Sequence, residues 1–223
     1  MKKKEIFKII IIPIIIGLSS IGIGAIFNDW LIGGCSLALA FIGAYFMILG
    51  KWYGYIFEIV YAILYTYIKF INGLYAPVFF SLCVFIPFEI YGIIGWKKKE
   101  KNKTVITRSL SIKNFIILTV SVIAGSFLVG YLLSLIPYQN LSYLDSASQI
   151  ANSAAILLCA MRYREAWFLW LCFNCLDLAI WSMNINNSAN AIMMLIITMM
   201  YFISNIFGLM NWIKLENKNK GIP

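Results

Sequence analysis

Residues 76–103 read APVFFSLCVFIPFEIYGIIGWKKKEKNK. From Ala76 to Trp96 only Ser81 and Glu89 interrupt a run of apolar, aromatic, Gly and Pro residues, and Lys97, Lys98, Lys99, Lys101 and Lys103 follow at once. A bilayer core of roughly 30 Å needs about 20 mostly apolar residues per helix. Lipid offers the backbone no hydrogen-bond partner, so such a stretch must be helical. It therefore reads as a membrane span that ends on a basic face.

Working outward in both directions, the same arithmetic gives eight spans, over 6–27, 31–50, 53–72, 76–96, 113–136, 145–161, 164–184 and 189–212. The composition of the 223-residue chain agrees: 62% hydrophobic and 12% charged, against roughly 45–50% and about 25% in soluble domains. One soluble core cannot hide that much apolar surface. Disordered chains are poor in such residues, so disorder is excluded as well.

The net charge of +9 is explained by where the basic residues fall. Lys2, Lys3, Lys4, Lys8, Lys51, the lysines after Trp96, Arg108, Lys113, Arg162, Arg164, Lys214, Lys218 and Lys220 all lie on one side of an eight-span topology. Lys69 is the exception. By the positive-inside rule both termini are cytoplasmic. The opposite loops carry Asn28-Asp29, Asn72-Gly73, Gln139-Asn140 and 184–190, almost without Lys or Arg. The basic charge thus serves topology and contact with anionic lipid, and no nucleic-acid partner is expected. The Lys-rich start precedes a long run that contains Pro13 and lacks an A-x-A site, so it is read as a retained helix, not a signal peptide.

The chain has no histidine, which removes His-based metal sites and Ser-His-Asp or Cys-His catalysis. Cys172 and Cys175 form a C-x-x-C, but it lies inside an apolar stretch with no second pair. They are read as small packing residues. No metal and no cofactor is expected. No set of catalytic groups is assembled, so the chain is not expected to be an enzyme.

An ungapped offset of 116 residues, that from Gly92 to Gly208, also aligns Asp29 with Asp145, Glu58 with Asn174, Tyr61 with Asp177, Tyr65 with Trp181, Glu89 with Asn205 and Trp96 with Trp212. Helices two to four then correspond to helices six to eight, with helix five a linker and helix one an extra. An odd linker gives both trios the same orientation, a parallel repeat about an axis along the membrane normal.

Acidic residues inside a span cost roughly 2.5–3.5 kcal/mol and point to function. Glu58, Glu89 and Asp177 qualify, each in a stripe of helical spacing. Helix three carries Glu58, Tyr61 and Tyr65; helix four carries Glu89, Gly92 and Trp96. Helix seven carries Trp170, Asn174, Asp177 and Trp181; helix eight carries Tyr201, Asn205, Gly208 and Trp212; helix six adds Ser146, Gln149 and Asn152-Ser153. Facing one another, these stripes make a polar, ring-lined chamber. Amides suit hydroxyl and carbonyl groups, ring faces suit flat rings and cations, and carboxylates suit a cation or proton. Plainer roles compete for some of them. Trp96 and Trp212 are read as interfacial anchors, Gly92 and Gly208 as close-packing positions, Glu89 as a partner for backbone freed at Pro87, and Arg164-Glu165 as a boundary ion pair.

Asn72-Gly-Leu-Tyr75, Ile86-Pro-Phe-Glu-Ile-Tyr-Gly-Ile-Ile-Gly-Trp-Lys97, Arg164-Glu-Ala-Trp-Phe-Leu-Trp170 and Tyr201-x-x-x-Asn205-x-x-Gly208-x-x-x-Trp212 resemble the PnuC-type vitamin transporters over about 28–214. The resemblance implies an all-α integral membrane fold with a three-plus-one-plus-three core like the duplicated bundles of SWEET-type sugar transporters. It implies facilitated diffusion of nicotinamide riboside with trapping by intracellular phosphorylation, in a bacterial inner membrane. Relatives carry thiamine, riboflavin or deoxynucleosides, and these solutes, together with proton coupling, are the alternatives. The family's Asn and Trp one turn apart fall on Asp177 and Trp181, so an acid stands where an amide is usual. On this reading Trp181 and nearby aromatics hold the pyridinium, while Asp177, Asn174, Asn205 and Gln149 bind the ribose hydroxyls and the carboxamide.

The expected organisation is an extra helix over 1–28, a first bundle over 29–97, a basic cytoplasmic loop over 98–112, a linker helix over 113–137, a second bundle over 138–213 and a tail over 214–223. The expected partners are a small vitamin or nucleoside solute and membrane lipid. Association into a homo-oligomer is left open.

Overall fold

The structure is a computed structural model that describes residues 7–71, 75–101, 104–136, 141–186 and 191–220. Lys2, Lys3, Lys4, Asn72-Gly73, Lys103, Gln139-Asn140 and the second half of the 184–190 loop lie outside those residues.

Among the described residues there are eight helices. α1 covers Phe7–Ile26 and α2 Trp30–Ile48, and α3 covers Gly54–Ile71. α4 joins Tyr75–Phe80, a π-helical turn at Ser81–Phe85, and Ile86–Lys98. α5 is Ile112–Ser134, α6 Ser142–Ala160, α7 Ala166–Met183 and α8 Ala191–Lys220. The π turn has a local cause. Pro87 lacks an N–H and its ring crowds the carbonyl four residues earlier, at Cys83, inside the widened turn. At the start of α2 the Asp29 carboxylate accepts a hydrogen bond from the Gly33 N–H at 2.9 Å, satisfying a free helix donor.

Seven of these helices are long and apolar enough to cross a membrane. The exception is α6, which has 19 residues. It falls short on composition because it carries Asp145, Ser146, Ser148, Gln149 and Asn152, polar residues that are all buried inside the bundle. α2, α3 and α4 pack in sequence, as do α6, α7 and α8; the trios meet where α4 lies on α6 and α8 on α2. α1 leans on α2 and α5 on α6. α5 buries only Gly130, so its Ile, Leu and Phe side chains form a peripheral, lipid-compatible surface.

The packed interior has two parts. One gathers Leu37, Phe41, Tyr65, Ile68, Phe85, Ile156, Trp181, Met194 and Ile197. The other, toward the basic loops, gathers Met47, Tyr55, Trp96, Leu158, Cys159, Trp167 and Trp212. In the second, Trp96 and Trp212 are fully buried. This corrects their reading as interfacial anchors. The Trp96 indole donates to the Cys159 carbonyl at 2.9 Å and the Trp212 indole to the Met47 carbonyl at 3.1 Å, so each crosses from its own trio to the other. Gly92 and Gly208 do serve close packing: a methyl there would overlap the Tyr55 and Trp167 rings, respectively.

The basic loop and tail are more ordered than the sequence suggests. Strand β1, Glu100–Lys101, pairs antiparallel with β2, Thr104–Val105, in the register Glu100↔Val105 and Lys101↔Thr104. Arg108 exchanges backbone hydrogen bonds of 3.0 Å with Arg162 and Arg164. α8 runs on through Lys220, past the expected helix end at 212. Glu216 explains why: it is buried, accepts from the Ser109 hydroxyl at 2.8 Å and pairs with Arg164 at 3.2 Å. Arg164 and Glu165 form the expected boundary pair at 3.3 Å.

Candidate functional site

Between the two packed regions lies a cavity of about 830 Å³, solvent-open parts included. It is walled by three helices from each trio and by neither α1 nor α5.

Each wall follows from a stripe. α3 supplies Glu58, Tyr61 and Tyr65; α4 supplies Glu89; α6 supplies Asn152; α7 supplies Trp170, Asn174 and Asp177; α8 supplies Tyr201 and Asn205. Helical spacing puts these residues on one face of each helix, and the packing of the trios turns the faces together. Two of the expected site residues stand apart. Trp181 and Gln149 are fully buried and do not line the cavity. Sequence reasoning put Asn152 in the α6 stripe facing the chamber without naming it a solute ligand, and passed over Tyr55, Trp167 and Thr198. All four line the cavity, and helical spacing from Tyr201 was the available signal for Thr198.

Hydrogen bonds fix the polar walls. The Tyr201 hydroxyl donates to Glu58 Oε2 at 3.0 Å, from α8 to α3, joining the trios across the cavity. Gly43 on α2 leaves room for that carboxylate, since a methyl there would come within 2.6 Å of Glu58 Oε1. The Trp170 indole donates to Asn152 Oδ1 at 3.1 Å, and the Trp181 indole donates to Asp177 Oδ2 at 3.1 Å. The Thr198 hydroxyl lies 3.4 Å from the same Asp177 oxygen but only 2.8 Å from the Met194 carbonyl, the better acceptor for its single proton. Tyr61 packs on Tyr65 and on Tyr201, each with ring centres 5.9 Å apart.

Six lining groups keep unused hydrogen-bonding capacity. The Tyr55 and Tyr65 hydroxyls, Glu89 Oε2, the Trp167 indole N–H, Asn174 Nδ2 and Asp177 Oδ1 are buried and have no hydrogen-bond partner. Buried polar atoms are nearly always paired, so such a concentration around one void marks a place for a polar guest. Glu89 lies in this wall, so service to backbone freed at Pro87 does not exhaust its role. Cys172 and Cys175, by contrast, are exposed free thiols on the outside of the bundle.

A chamber of carboxyl groups, amides and rings enclosed by two trios of mostly membrane-length helices is the architecture of a multi-pass membrane carrier. The family model described as nicotinamide mononucleotide transporter matches residues 31–214. The chain belongs to that family. It is 26% identical to the nicotinamide riboside transporter PnuC of Neisseria mucosa, covering 83% of this chain and 71% of the relative. It is 27% identical to the nicotinamide riboside transporter PnuC of Haemophilus influenzae, covering 76% and 73%. A crystal structure of the vitamin B3 transporter PnuC shares its fold, with a TM-score of 0.77 at 22% identity over 93% of this chain and 92% of that one.

Proposed function

We propose that this protein carries nicotinamide riboside across a bacterial inner membrane by facilitated diffusion, with both termini cytoplasmic and the solute trapped by phosphorylation inside the cell. The observation that carries the reading is the ring-, amide- and acid-lined cavity between the trios. A nicotinamide riboside cation is flat, hydroxylated and positively charged, and each property has a counterpart in the walls.

Trp170, Tyr61 and Tyr201 supply aromatic faces for the cationic ring, and Glu58 and Glu89 set carboxyl groups near them. Asn152, Asn174 and Asn205 take the ribose hydroxyls and the carboxamide. Trp181 acts from behind, by orienting Asp177 through its indole, and Gln149 supports the wall without lining it. The two trios are read as a parallel duplication that rocks about the chamber. The crossed indole bonds of Trp96 and Trp212 support that reading, because these corresponding residues donate to backbone carbonyls on the corresponding helices α6 and α2 of the opposite trio.

Calorimetric titration of the purified protein with nicotinamide riboside, thiamine, riboflavin and deoxynucleosides tests the assignment. Nicotinamide riboside is expected to bind and to resist displacement by the others. Thiamine binding without nicotinamide riboside binding would overturn it.

A further inference from the structure

Lys69, the basic residue that topology does not explain, is completely buried near the end of α3 farthest from the basic loops. Its ammonium is 3.7 Å from Asp177 Oδ1. It lies 4.3 Å from the Trp181 ring centre and 5.0 Å from that of Tyr65, both within the roughly 6 Å reach of a cation–π interaction. It has no hydrogen-bond partner. A charged side chain inside a membrane bundle is costly and marks function by default.

A purely structural pair would favour close, hydrogen-bonded geometry, because desolvation is otherwise poorly offset. Here the ammonium is held by one carboxylate and two ring faces, the set that recognises an organic cation. Asp177 and Tyr65 also line the chamber, while Lys69 and Trp181 do not. The box and the chamber therefore share a wall.

We propose that Lys69 is a built-in occupant of a cation box formed by Asp177, Trp181 and Tyr65, and that it sets the charge preference of the chamber. With the ammonium in place, Asp177 is already neutralised and the Trp181 face is already covered. A cationic solute then meets a like charge across the shared wall and is held loosely enough to leave, which transport requires. The inference rests on the reading above that the solute carries a cationic ring.

The test is calorimetric titration of wild type, Lys69→Met and Lys69→Arg with nicotinamide riboside and with its dihydro form, the neutral compound made by adding hydride to the ring. Lys69→Met is expected to bind the cation about tenfold or more tightly, with the dihydro form changed less than about twofold. Lys69→Arg, which keeps the charge, is expected to behave as wild type. Equal changes for both compounds, or no change for either, overturn the proposal. If Lys69→Met does not fold, Lys69→Gln, a neutral polar replacement of similar reach, is read in its place.

A second arm needs no riboside. Lys69→Ala empties the box, so n-butylammonium is expected to raise the melting temperature of that variant but not of wild type or of Lys69→Ala/Asp177→Asn. Amine rescue without riboside binding to any variant retains the box and removes the proposed solute. Riboside binding with neither amine rescue nor charge discrimination retains the solute and removes the box.

Discussion

Replacing Gly208 by alanine tests how tightly the site is braced from below. A methyl there would stand 2.2 Å from Trp167 Cζ3, 2.3 Å from Cε3 and 2.6 Å from Cη2. Ordinary carbon contact is about 3.5–4.0 Å, so the indole must withdraw by roughly 1.3 Å. Its retreat is blocked by Trp212, with ring centres 5.5 Å apart, and by Trp170, at 5.1 Å. Overpacking of this kind costs about 1–3 kcal/mol. Alanine returns about 0.5–1 kcal/mol of backbone entropy, leaving a net loss of roughly 1–2 kcal/mol. At roughly 2–4 °C per kcal/mol for a chain of this size, the melting temperature should fall by about 2–8 °C. Thermal unfolding of the detergent-purified protein, followed by tryptophan fluorescence, is the measurement. Riboside affinity should fall as well, because Trp170 is a wall of the cavity. Gly22→Ala is the control: nothing lies within 4 Å of its methyl, and its melting temperature should stay level or rise slightly. A Gly208→Ala protein as stable as wild type would refute the account of the α7–α8 contact.

Tyr201→Phe removes the donor to Glu58 Oε2 while keeping the ring. An intramolecular hydrogen bond is worth about 0.5–1.5 kcal/mol, and this one orients a wall of the cavity, so riboside affinity should fall about two- to tenfold by calorimetry, and an unchanged value counts against Glu58 and Tyr201 as a paired wall. The double variant Cys172→Ser/Cys175→Ser should keep full binding, since both thiols are exposed away from the cavity; loss of binding would reopen a role for the C-x-x-C. Uptake into proteoliposomes should not change when a pH gradient is imposed, and acceleration by an inward proton gradient would replace facilitated diffusion with proton coupling.

Much of the fold was legible because lipid leaves the backbone so few options. The spans expected at 53–72 and 113–136 are the helices Gly54–Ile71 and Ile112–Ser134. The ends were harder to read where tertiary partners prolong a helix, as Arg164 and Ser109 do for Glu216. Within the site, spacing along a single helix was enough to put Glu58, Tyr61, Asn174 and Asp177 on facing walls. It was not enough to tell a residue at the void from one a layer behind it. Trp181 shares a stripe with Asp177, but an ammonium from α3 covers its ring. Which helix lies opposite α7, and at what height, is set by packing between distant segments and leaves no periodic mark.

The crossed indole ties also govern how this chain can be divided or can diverge. Trp96 finds its acceptor at Cys159 and Trp212 finds its acceptor at Met47, so each half holds the other's keystone. A cut in the segment between them would yield two unlike fragments that are expected to reassemble only with each other, neither replacing its counterpart as a symmetric pair. Substitutions that shift one end by a helical turn would require an answering change in the opposite half, which ties the two halves to a common evolutionary path.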